Sequence, residues 1–60
     1  MLKLSPGDLC VYEDDGVAPR EILDRVLVFL YHLDEQPDEG IFLCNDGTVD
    51  FEYIAFLKRL

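Results

Sequence analysis

The sequence predicts a small all-β domain, and three stretches carry that expectation. The first is a hairpin in the last twenty residues. Ile41 to Cys44 is an unbroken apolar run, and Asn45-Asp46-Gly47 follows it. Asn and Asp tolerate a left-handed backbone and Gly adopts one without strain, so these three residues form a turn. Beyond the turn, Val49, Phe51 and Tyr53 alternate with Thr48, Asp50 and Glu52. That period of two gives a strand one apolar and one polar face. The second stretch is Val26 to Leu33, VLVFLYHL, rich in the β-branched and aromatic residues that fit a pleated surface. The third is a Pro-Gly turn followed by a short apolar run near the N-terminus.

Taken in order, Ser5-Pro6-Gly7-Asp8 is that turn, with Pro presetting its backbone angle and Gly relieving strain beside it. Leu9 to Tyr12 then reads as a strand, ended by the charged run Glu13-Asp14-Asp15-Gly16. The segment to about Arg20 reads as loop, since Pro19 opposes strand pairing. Glu21 to Asp34 admits two readings. As a helix it places Pro19 near the first turn and lines up Ile22, Leu23, Val26, Leu27, Leu30 and Leu33 as one stripe. As a strand it uses only Val26 to Leu33. The strand reading is preferred, because a third strand supports a hairpin that two strands alone rarely sustain. Asp34 to Gly40 reads as a polar connection containing Pro37, leading antiparallel into Ile41–Cys44.

Sixty residues make one domain, and a chain of this size buries only about 60% of the surface its unfolded form exposes. Half the residues are hydrophobic and seven are aromatic, which excludes a disordered chain. Thirteen acidic residues against five basic ones leave a net charge of −8. A phosphate backbone would be repelled, so direct nucleic-acid binding is not expected, whereas basic partners are favoured. Cys10 and Cys44 are expected as free thiols buried like small apolar residues. MLKLSPGDL has no signal-peptide pattern, and the longest apolar run falls far short of the roughly 20 residues that span a membrane. The expected location is therefore cytoplasmic.

The pattern Pro6-Gly7-Asp8-Leu9, a variable loop, a long apolar strand and the hairpin Asp46-Gly47-Thr48-Val49-Asp50-Phe51 resembles the small stand-alone SH3-like β-barrels that phages and bacteria encode. The resemblance covers most of the chain and is loosest over Glu13–Asp24. It implies a five-stranded SH3-like barrel, with one short helical turn near the C-terminus at Tyr53–Phe56 and a last strand at Leu57–Leu60. It is nearly silent on function, because such barrels serve as binding modules, virion parts and host-factor modulators. The chain has no Trp, and the tryptophan pair with acidic loop of a proline-binding SH3 domain is not matched as a set, so proline-peptide binding is not carried over.

Catalytic motifs are missing from this sequence, and no cofactor is expected. His32, the only histidine, is expected to be structural, on a face with Val26, Val28 and Leu30. A zinc site using His32, Cys10 and Cys44 would lack both a fourth ligand and a close cysteine pair. The acidic groups Glu13-Asp14-Asp15 and Asp34-Glu35…Asp38-Glu39 lack the alternate spacing of a calcium loop. What remains unusual is Val26–Leu33, apolar on both faces. If one face fills the barrel, the other needs a cover. Leu27, Phe29, Tyr31 and Leu33 are the expected outward, partner-binding residues, with Val28 and Leu30 inside. The expected function is an acidic protein–protein interaction module, phage-encoded and modulating a host factor. It would self-associate as a two-fold dimer through this strand. A virion component and an acidic nucleic-acid mimic are the alternatives.

Overall fold

A computed structural model describes residues 2–33 and 36–60. These described residues form five strands in one antiparallel sheet: β1 (Leu9–Tyr12), β2 (Leu27–Leu33), β3 (Gln36–Cys44), β4 (Val49–Tyr53) and β5 (Leu57–Arg59). A single helical turn, α1 (Arg20–Leu23), precedes β2, and a 3₁₀ turn (Ile54–Phe56) joins β4 to β5. The strand order is β4-β3-β2-β1-β5. The sheet is not closed into the expected barrel. β4 and β5 end the order as two free edges, and the short 3₁₀ turn carries the chain from one to the other.

Local chemistry explains the elements. In the opening turn the Asp8 N–H donates to the Ser5 carbonyl at 3.0 Å, and Gly7 takes φ 95°, the left-handed position that follows a turn proline. The Asp8 carboxylate also accepts the Ser5 N–H at 2.8 Å. This turn is fastened to β2, since the Gly7 N–H donates to the Phe29 carbonyl and the Phe29 N–H to the Asp8 carbonyl. The two readings of Glu21–Asp34 divide the segment between them. Pro19 starts one helical turn by accepting from the Ile22 and Leu23 N–H groups, and the strand begins three residues after Asp24. No residue of the helix is fully buried: Ile22 and Leu23 are half-buried, and an exposed Arg20–Asp24 pair at 3.6 Å adds to the local bonds.

The polar connection expected from Asp34 to Gly40 is corrected in part. From Gln36 onward the chain is already strand, pairing Leu33 with Gln36 and His32 with Gly40; Asp34 and Glu35 lie outside the described residues. Gly40 explains why polar composition misleads there. A Cβ on it would meet the Phe29 ring at 2.8 Å, so this glycine is where an aromatic ring crosses the strand rather than a loop residue.

The core lies on one face of the sheet. Cys10, Leu27 and Cys44 form one cross-strand row, and Phe29 opposite Phe42 forms the next, their rings edge-to-face at 5.4 Å. Leu4, Ile54 and Leu57 cover this face. Cys10 and Cys44 are free, buried thiols. Leu27 stands between them, and two strand spacings of about 4.8 Å are more than a disulfide spans.

An exposed aromatic face as candidate docking site

The outward face of the sheet is apolar as well. Cross-strand pairing places Leu9, Val28, Leu43 and Val49 in one row and Tyr31, Ile41 and Phe51 in the next. Here the apolar side of β4, legible as alternation in the sequence, points to solvent: Val49 is 60% exposed, Phe51 50% and Tyr53 47%. Phe51 and Tyr53 meet edge-to-face with ring centres 6.3 Å apart, and Tyr53 meets Phe56 at 6.0 Å. The aromatic line thus continues from β4 onto the 3₁₀ turn. There Phe56 also borders a groove of about 470 Å³ lined by Tyr12, Ile22, Glu13 and Asp15.

The expected partner-binding set is redistributed. Leu27 and Phe29, expected outside, are core residues at 0% and 1% exposure, while Val28 and Leu30, expected inside, are half-buried on other sides. Tyr31 is 58% exposed, as its assignment to the outer surface requires, and Leu33 is half-buried. In a regular strand Phe29 and Tyr31 would share a face. A bulge between them separates the two: Phe29 pairs with Phe42 and Tyr31 with Ile41, so Leu30 is an extra residue and the alternation reverses. The same bulge moves His32 away from the face expected for it. Its ring packs edge-to-face on Phe29 at 4.8 Å. Among the described residues no three His, Cys, Asp or Glu side chains gather as metal ligands. β2 has neighbours on both edges, so what it leaves open is its outward face.

Electrostatics differ at the two free edges. β4 carries Asp50 and Glu52 between its apolar residues, with Asp46 in the preceding turn. β5 carries Lys58 and Arg59, the latter 3.5 Å from the Asp8 carboxylate and donating to the Lys3 carbonyl. Across the open side of the sheet, burial and then the neighbouring Glu52 carboxylate push the Tyr12 phenol well above its ordinary pKa. Close by, the Arg25 guanidinium donates to Cys44 Sγ at 2.9 Å. Asp46 is held below the usual carboxylate range by the Thr48 hydroxyl and then the Thr48 N–H, bonds that lock the hairpin turn.

Sequence reasoning located β4 and its alternation but did not assign its apolar side to solvent. The usable signal was β4's position: a short strand after a hairpin is an edge candidate, and its apolar side is covered only if the core lies there. Comparison with protein-family models, with curated proteins and with solved structures finds no match for this chain.

Proposed function

We propose that this chain is a non-catalytic, acidic protein-interaction module of SH3-like design that docks a protein partner on the outward face of β2, β3 and β4. The observation that carries the reading is the exposed aromatic line Phe51, Tyr53 and Phe56, with Tyr31 across Ile41 in the same row as Phe51, each about half exposed. An aromatic side chain offers about 150–250 Å² for burial, so these four alone leave on the order of 400 Å² of aromatic surface in water. Patches of that size on small proteins are commonly functional, and aromatic residues dominate contact energetics. The strand order and the 3₁₀ turn between β4 and β5 support the SH3-like resemblance, with an open sheet in place of a closed barrel.

Photocrosslinking in the cell of origin tests this reading. A photoactivatable phenylalanine analogue replaces Phe51 or Tyr31 on the face, or Glu21 on α1 as control. Adducts of one defined mass are expected from Phe51 and Tyr31, lost when Val49→Glu is added to the folded protein. Equal adducts from Glu21, or none from Phe51, contradict it.

A further inference from the structure

We propose that the free edge of β4 is an acceptor for an extended basic strand, one that alternates apolar residues with Lys or Arg. The inference rests on the docking-face reading above and names the chemistry of its partner. β4 lies at the end of the strand order, with β3 on one side only. The Cys44 N–H donates to the Thr48 carbonyl, which sets the phase of the antiparallel ladder. In that phase the pairs Phe42–Asp50 and Gly40–Glu52 exchange hydrogen bonds, while the backbone groups of Val49, Phe51 and Tyr53 point away from β3 to the open edge. An independent contact agrees. The Phe51 N–H donates to Oδ1 of Asp50 at 2.8 Å, a local bond open to it because no strand takes that donor.

Asp50 therefore guards the edge and marks it. An incoming strand replaces the Asp50 carboxylate with its own carbonyl at the Phe51 N–H. The released carboxylate is then free to take the partner's cation, with Glu52 two residues along on the same side. Partner side chains on the other side extend the apolar rows of Val49, Phe51 and Tyr53. Adding a strand to a sheet edge uses backbone bonds for affinity and alternate side chains for specificity. Charge selects this occupant over a second copy. Two β4 strands paired antiparallel about Phe51 would set Asp50 opposite Glu52 twice, and like charges directly opposite are destabilising. The other edge, with Lys58 and Arg59, repels the same basic strand, so β4 is the preferred place.

The test is an amide-resolved NMR titration of the intact chain with two capped nine-residue peptides, one alternating valine with lysine and one alternating valine with glutamate. The lysine peptide should bind at least tenfold more tightly and shift and protect the Val49, Phe51 and Tyr53 amides, and its affinity should fall with added salt. Asp50→Lys should reverse the preference. Asp50→Asn, which keeps an acceptor for the Phe51 N–H, should narrow it while leaving the melting temperature unchanged. Equal binding of the two peptides, shifts confined to β5, or protection of the same amides by concentration-dependent self-association each overturns the proposal. If strand addition fails while crosslinks from Phe51 and Tyr31 persist, the docking face stands and only its β-strand partner is rejected.

Discussion

At the residue scale, single side chains decide which way the sheet faces. Gly40 lies beneath the Phe29 ring, and an added Cβ would come within 2.8 Å of it and 3.2 Å of the Phe42 ring. Gly40→Ala is expected to cost about 1–3 kcal/mol, the usual penalty of overpacking, read as a lowered denaturation midpoint. Phe42→Ala is expected to cost about 3–5 kcal/mol by leaving a cavity beside Phe29. Titration gives a second expectation. Burial, and then the Asp8 carboxylate, push the Cys10 thiol above its ordinary value of 9.0, and Tyr12 is raised above its ordinary 10.0. Both groups hold their protons more tightly when folded, so the unfolded chain releases them first as pH rises. Their contribution is complete below about pH 9 and is lost as pH climbs through 9 to 10 and beyond. Melting temperature measured from pH 7 upward should be flat in these terms until that window and then fall. Tyr12→Phe should shallow the fall. Cys10 and Cys44 were legible in sequence as buried thiols, because free cysteine buries like a small apolar residue. The inward direction of Phe29 was not, because VLVFLYHL is apolar at both parities and offers no polar side to orient it.

At the scale of elements, composition located what local forces control and missed what pairing controls. The Pro6-Gly7 turn, β1 and the Asn45–Gly47 turn were legible because their residues carry their own backbone geometry. Gly47 adopts φ 89°, so Gly47→Ala is expected to cost about 1–2 kcal/mol from the left-handed conformation alone. Asp46, held below its ordinary 3.8 by Thr48, contributes to the hairpin above that pH and loses this as pH falls through its lowered value. Chemical shifts of the Thr48 amide and hydroxyl neighbours below pH 4 would follow that loss. The bulge at Leu30 left no mark in the sequence. It inserts one extra residue into β2 between the Phe29–Phe42 and Tyr31–Ile41 pairs, and it sends Tyr31 outward while His32 turns onto Phe29. The early start of β3 was hidden for a related reason: Pro37 and Gly40 resemble loop residues until a neighbouring ring accounts for the glycine.

At the scale of the molecule, a single sheet of five strands has two faces and only one core. Leu4, Ile54 and Leu57 cover the inward face, and the outward face keeps Tyr31, Phe51, Tyr53 and Phe56 in water. A net charge of −8 accompanies that exposed face, and in the proposal above it is what selects a basic partner over a second copy. The acidic composition was legible from the start, whereas the residues it accompanies on β4 emerged only with the strand order. The central claim is that the Phe51 side of the sheet is surface and the Phe29 side is core. Thermal melting of Phe29→Glu and Phe51→Glu, compared with the parent chain, tests it most directly. The account predicts that Phe29→Glu fails to fold, because an unpaired charge is forced into the core, while Phe51→Glu melts within a few degrees of the parent. A folded Phe29→Glu protein, or an unfolded Phe51→Glu protein, would contradict it.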